Sequence, residues 1–162
     1  MTLRLRVVQS AWESTADRVA SEFGSVVPVV KGNGYGFGRQ TLMPLASRIA
    51  SEYGDSYIAV GTVFEAADVP DGFTAMVLTP HIDEIPVTLA RDAVLTVGSA
   101  AHVDALAQQN WDAPVVVKVR SSMHRHGIDP EGLTELVVFS NAAGLSVIGF
   151  AFHPPLLTDD ND

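Results

Sequence analysis

The chain is expected to fold as an α/β protein with a mostly parallel sheet. Two observations predict this. Short apolar runs alternate along the sequence with amphipathic stretches of helical period, the pattern of repeated βα units. The polar residues with the most chemistry, Lys31, Lys118 with Arg125, and His153, each follow an apolar run. In parallel α/β folds, functional groups gather at the C-terminal ends of strands.

Taken in order, Leu3 to Val8 alternates and predicts a strand. Ser10 then opens a helix, with Glu13 completing a capping box. Trp12, Ala16, Val19 and Phe23 fall on one face of that helix, and Gly24 is placed to end it. Val26-Val27-Pro28-Val29-Val30 predicts a buried parallel strand ending at Lys31. The next helix carries Leu42, Leu45, Ala46 and Ile49 on one face. Tyr57 to Val60 predicts a strand closed by Gly61, and Thr62 with Glu65 forms a second capping box ahead of a short helix. Ala75 to Leu78 is a strand ending at Thr79-Pro80. Asp83 to Asp92 reads as a helix that tolerates Pro86 only in its first turn. Ala93 to Val97 is a strand, and Ser99 caps a helix that turns Val103, Leu106 and Ala107 inward. Pro114 to Val119 is the most apolar strand. Asp129-Pro130 pairs a cap with proline at the first helical position, opening a helix that buries Leu133, Leu136 and Val137 and stops near Gly144. Leu145 to Phe152 is the last strand.

Six strands thus follow the N-terminal one. A (β/α) barrel closes with eight strands, so six leave two unpaired edges. The expected architecture is a partial barrel over residues 1–155, followed at 156–162 by a loose tail carrying Asp159, Asp160 and Asp162.

Composition narrows the function. A chain of 162 residues with 47% hydrophobic content is long and apolar enough to bury one core. A net charge of -9 argues against a nucleic-acid surface, which needs clustered Lys and Arg. The lack of cysteine excludes disulfides and thiolate metal sites and is compatible with a reducing cytosol. Met1 to Val7 lacks the apolar core of a signal peptide, and no run is long enough to span a bilayer. A cytoplasmic location is therefore expected.

Lys31 is the most informative residue. A lysine at the end of a buried strand sits at the edge of an apolar interior, where desolvation disfavours its charged form and exposes a nucleophilic amine. The competing reading is a solvated lysine after a strand. The following run, Gly32-Asn33-Gly34-Tyr35-Gly36-Phe37-Gly38, lets backbone approach a ligand closely. As a dinucleotide cradle it is incomplete, because Phe37 stands where the third glycine of Gly-x-Gly-x-x-Gly is needed. His124 and His126 are metal ligands by type, but no carboxylate or third histidine lies at a suitable spacing, so no metal site is expected.

Three stretches resemble one family. Val29-Val30-Lys31-Gly32-Asn33-Gly34-Tyr35-Gly36-Phe37-Gly38 resembles the pyridoxal-phosphate lysine motif of alanine racemases, V-x-K-A-N-A-Y-G-H-G. Gly32 and Gly34 stand at its alanines and Phe37 at its histidine. Lys118 to Gly127 resembles K-x-D-T-G-M-x-R-x-G, with Arg120, Ser121 and Ser122 replacing Asp, Thr and Gly. Gly149 to His153 resembles the family's G-x-x-x-H strand, although Pro154-Pro155 departs from the usual small residue after it.

The resemblance implies pyridoxal 5′-phosphate as cofactor and Lys31 as its Schiff-base lysine. It implies that the Tyr35 hydroxyl helps hold the phosphate, although on the bare sequence Tyr35 reads equally as an aromatic packing a loop. It places Arg125 beside the phenolic oxygen, where a guanidinium makes charge-assisted hydrogen bonds. Lys118 falls on a lysine that is carbamylated in many relatives and there orients the arginine; the competing reading is a lysine that simply reaches to the rim. His153 is implied to pack on the pyridine ring, against the plainer reading of a turn histidine. Arg120 has no assigned role.

Family members continue into further barrel strands and a β-rich C-terminal domain, so the chain reads as the N-terminal portion of such a protein, whether cleaved, expressed as a fragment or truncated in its gene. The implied activity is interconversion of L- and D-alanine or a similar small amino acid in a homodimer. Its second acid–base is a tyrosine of the other subunit's C-terminal domain. The partners implied are the amino-acid substrate and the remainder of the polypeptide or a complementing C-terminal fragment. The chain alone is expected to be inert. The alternatives are a pyridoxal-phosphate-dependent decarboxylase on the same fold and a non-catalytic barrel that buffers or delivers the cofactor.

Overall fold

The computed structural model describes residues 6–155. The expected acidic tail and the first part of the expected N-terminal strand lie outside the described residues. Arg6 to Val8 is not a strand.

Helix α1 spans Gln9–Phe23 and begins two residues earlier than its sequence signals suggest. Val8 occupies the N-cap position, so Ser10 lies inside the helix and the expected capping box does not form. Gln9 Nε2 instead donates to Glu13 Oε1 at 2.7 Å. The apolar face is present but uncovered. Ala20 is the helix's buried residue, while Phe23 is 74% exposed and Trp12 and Val19 also stand exposed.

The expected strand before Lys31 contracts to a single parallel bridge, Val29 to Ala59. Val30 N donates to Ala59 O, and Ala59 N donates to Pro28 O. Pro28 has no N–H of its own, which suits an edge and limits the ladder. The chain then turns through α2 (Gly32–Tyr35) into α3 (Arg39–Tyr53). The inner face of α3, with Met43, Ala46 and Ala50, packs on Val30 and Ile58.

Five strands follow: β1 (Tyr57–Val60), β2 (Thr74–Val77), β3 (Leu95–Val97), β4 (Pro114–Val119) and β5 (Ser146–Phe152). β1 pairs with β2, and β3 with β4 and β5, all parallel. The two sheets join through the Met76–Val94 bridge, with Val77 N donating to Val94 O and Val94 N to Ala75 O. Thr96 Oγ1 reinforces the seam by donating to Val77 O at 2.6 Å. With the Val29 bridge this makes one row of six parallel segments in sequence order, open at both ends among the described residues.

Helices α4 (Ala100–Gln108) and α5 (Leu133–Ala142) cover one face of this row. Ser99 caps α4 as expected, accepting from His102 N. Asp129 and Pro130 likewise open the short 3₁₀ turn that leads into α5. The expected helix from Asp83 to Asp92 does not form. Its backbone runs in isolated turns, Leu89 N to Pro86 O and Ala93 N to Ala90 O, and Gln109 pins it by accepting from Ile85 N and donating to Asp83 O. Pro86, the fourth of these ten residues, biases Ile85 before it away from helix.

Register decides which face each residue meets. Val115 and Val117 pack into the main core with Val103, Leu106 and Leu136 of the covering helices. Phe150 is aligned with Val117 and therefore points to that same helical side, where it is 60% exposed. Lys118, aligned with Ala151, points to the opposite, inner face. Val30 is buried under α3, so the next residue, Lys31, also turns inward. No helix among the described residues is long and apolar enough to cross a membrane.

Candidate functional site

The backbone after Lys31 winds the unusual way. Gly32, Asn33, Gly34 and Tyr35 all have positive φ, between 52° and 63°, so α2 is one turn of left-handed helix. Tyr35 N donates to Lys31 O at 2.8 Å and Gly36 N to Gly32 O at 3.2 Å. Gly34 is buried here, and a Cβ on it would sit 3.1 Å from Arg39 N. Glycine relieves both the handedness and the crowding.

Glu65 holds this turn against the next strand. Its Oε1 accepts from Gly32 N at 2.8 Å, and its Oε2 accepts from Gly61 N at 2.8 Å and Thr62 N at 3.1 Å. One carboxylate thus ties the residue after Lys31 to the end of β1. The bond to Thr62 is the returning half of the capping box expected from sequence. The bond to Gly32, across 33 residues, was not legible there. Gly61 is packed against this centre, since a Cβ on it would lie 3.3 Å from Lys31 Cβ and collide with Glu65 Oε2.

Across the inner face stand Lys118, Arg125 and His153. Burial, then the charges of Lys31 and Arg125, hold the Lys118 ammonium below the ordinary lysine range. Burial, then Lys118, Arg125 and Lys31, likewise lower the His153 imidazole. Four of the five sequence-predicted site residues are therefore within electrostatic reach of one another. None of Lys31, Lys118 or Arg125 enters an ion pair among the described residues.

The fifth, Tyr35, is placed differently. Its side chain is 55% exposed and lines a cavity of about 860 Å³ with Val29, Trp12, Phe37 and Leu42. No described hydrogen bond links its side chain to the other four. Arg125 is carried on the loop after β4 and shares a cleft of about 790 Å³ with His102, His124 and His126. Burial, then the nearby His126, lowers the His102 imidazole; its Nδ1 lies 2.8 Å from Ser99 Oγ. Among the described residues, no three His, Cys, Asp or Glu side chains gather closely enough to hold a metal ion.

The Lys118 environment predicts a pH effect. A lysine whose folded pKa is lowered binds its proton more weakly folded than unfolded, so it destabilises the fold at pH values below both pKa values. The penalty fades as pH rises through the lowered value towards the ordinary 10.5. Lys118→Met is therefore expected to melt at a higher temperature than the parent at pH 7, with the difference disappearing near pH 10.5. Thermal melts across that range check it; a constant difference at all pH values would assign the effect to packing.

The alanine racemase N-terminal domain family matches residues 5–162. The chain is 24% identical to the alanine racemase of Campylobacter jejuni over 152 residues, which is 92% of this chain and 44% of that protein. It thus spans less than half the length of that curated relative. Among solved structures, it is similar to the alanine racemase of Corynebacterium glutamicum, with a TM-score of 0.69 and 26% identity over 87% of this chain and 43% of the other. It also shares the fold of the Bartonella henselae alanine racemase with covalently bound pyridoxal phosphate, at a TM-score of 0.69 and 18% identity, over 89% of this chain and 44% of that one.

Proposed function

This chain belongs to the alanine racemase N-terminal domain family, and on that premise we propose that it is the cofactor-holding barrel portion of a pyridoxal-phosphate-dependent racemase acting on alanine or a similar small amino acid. The observation that carries the reading is electrostatic. In a chain of net charge -9, Lys31, Lys118 and Arg125 turn to one rim and repel one another without an ion-pair partner among the described residues. Such a set is stabilised by an anionic ligand, and pyridoxal 5′-phosphate carries a phosphate and a phenolate.

Lys31 would hold the aldehyde carbon through Nζ, at the place where the Glu65-anchored turn fixes its backbone. Arg125 would donate to the phenolic oxygen, and Lys118 would add positive charge behind it. His153, at the end of β5, would pack on the ring. Tyr35 faces the separate cavity and takes no part in holding the cofactor in this reading. When bound, the cofactor supplies an electron sink for the pair left when a substrate α-proton departs. Lys31 would carry that proton at Nζ on one face. The acid–base for the opposite face belongs to a second domain of a dimeric partner in this reading.

The test is covalent. The chain is incubated with pyridoxal 5′-phosphate and reduced with borohydride, and its peptides are mapped by mass. The adduct is expected on Lys31 and is expected to vanish in Lys31→Ala. An adduct spread over several lysines, or one that survives the substitution, would refute the assignment.

A further inference from the structure

Arg125 has the most exacting task in this site and the least direct support. Its side chain is exposed, and no hydrogen bond or ion pair holds it among the described residues. Its position is therefore set by the loop that carries it. The geometry points to Arg120 as a positioning residue that closes the neck of this loop and so fixes where Arg125 stands.

The loop leaves β4 and returns at Ile128 through two backbone bonds, Arg120 N to Ile128 O at 2.8 Å and Ile128 N to Lys118 O at 2.9 Å. Its outgoing limb is tied to the end of β5 by Ser121 Oγ, which donates to His153 O at 2.8 Å. Apart from the Ile128 backbone pair, the returning limb donates no side-chain bond of its own to another element among the described residues. It passes through Gly127, whose φ is +144° and which runs so close to the neck that a Cβ would lie 2.8 Å from Arg120 N and 2.9 Å from Val119 C. On the other flank, a Cβ on Gly98 would lie 3.0 Å from Gly127 Cα. No side chain fits at this crossing, so beyond the Ile128 backbone pair Gly127 offers a side-chain donor only its carbonyl.

Arg120 supplies that hold. Its Nε and Nη2 both donate to Gly127 O, at 3.3 and 3.2 Å, and its Nε also lies 3.2 Å from Asp129 Oδ1. Asp129 in turn opens the 3₁₀ turn before α5. One guanidinium thus locks the returning limb to the start of the next helical segment. The fork matters, because an ammonium is a point charge and does not reproduce it. The ion pair is half exposed, so the Gly127 carbonyl carries more of the function than Asp129 does.

The role in cofactor binding rests on the reading above; the clamp itself does not. The test compares the full 162-residue chain with Arg120→Ala, Arg120→Lys and Asp129→Asn. Native-state hydrogen exchange of residues 121–127 is expected to quicken about tenfold in Arg120→Ala, the loss of one charge-assisted contact, with α4 and α5 unchanged. Arg120→Lys is expected to recover part of the protection, and Asp129→Asn to lose little. The affinity for pyridoxal 5′-phosphate is expected to fall about three- to tenfold in Arg120→Ala, a range set by partial exposure. Unchanged loop exchange would overturn the proposal. So would exchange that quickens equally in α4 and α5, which would make Arg120 a general support of the fold. A loosened loop with unchanged cofactor affinity would overturn the link to Arg125. If the parent chain takes up no cofactor, the proposed function fails, and loop exchange alone decides the clamp.

Discussion

Replacing Glu65 by glutamine is expected to cut the cofactor fixed on Lys31 by about tenfold and to lower stability by about 1–3 kcal/mol, the range for a lost charged hydrogen bond. The two carboxylate oxygens serve different segments: one accepts from Gly32, the other from Gly61 and Thr62. An ionised carboxylate is acceptor-only on both sides, whereas a carboxamide is an acceptor on one side and a donor on the other. Whichever way the glutamine turns, its NH₂ faces a backbone N–H. Either Gly32 comes free of β1 or the end of β1 comes free of Glu65. Both outcomes loosen the backbone that sets Lys31, and the Lys31 side chain has no ion pair among the described residues to hold it in place. Urea unfolding reads the stability, and borohydride trapping reads the placement of Lys31. A variant that loses stability but traps cofactor as the parent does would show that Glu65 serves the fold alone.

Gly127→Ala is expected to be strongly destabilising, costing about 3 kcal/mol or more. Two costs add. The φ of +144° lies in a region reserved for glycine, where other residues pay about 1–3 kcal/mol. The new Cβ would also press on three backbone atoms, of Arg120, Val119 and Lys118, at 3.0 Å or less. Overpacking of this kind costs about 1–3 kcal/mol, and backbone cannot swing aside as a side-chain end does. Gly144→Ala is the control. Its φ is +87° but a Cβ there meets nothing within 4 Å, so it should cost only the left-handed strain of about 1–2 kcal/mol. Urea midpoints for the pair check this. Equal losses would mean that the loop after β4 re-routes without penalty.

The site was legible in the sequence wherever its signal was local. Lys31, Lys118, Arg125 and His153 each follow an apolar run, and the parallel order of those runs brings them to one rim. Ser99 and the Asp129-Pro130 pair were readable as helix starts because capping depends on neighbours a few residues apart. Local signals failed where a competing local feature prevailed. Pro86 broke the helix expected around it, and Pro28 reduced the strand before Lys31 to one bridge. Ser10 lost its cap because α1 begins at Gln9. The apolar stripe of Trp12, Val19 and Phe23 has helical spacing, but spacing does not say whether another element covers it. In the folded chain those residues stand exposed.

Periodicity and motif order were enough to establish the class of fold, the sequence order of the strands and the residues with chemical potential. They act through steric and hydrogen-bonding preferences within a turn or a strand. The contacts that hold those residues in place came from packing between distant segments: Glu65 on Gly32 and Arg120 on the carbonyl of Gly127. Tyr35 shows the difference. It sits within the lysine motif, yet its left-handed backbone turns it towards a separate cavity. Distances across a sheet follow from strand register and loop crossing, which no stretch of neighbouring residues encodes.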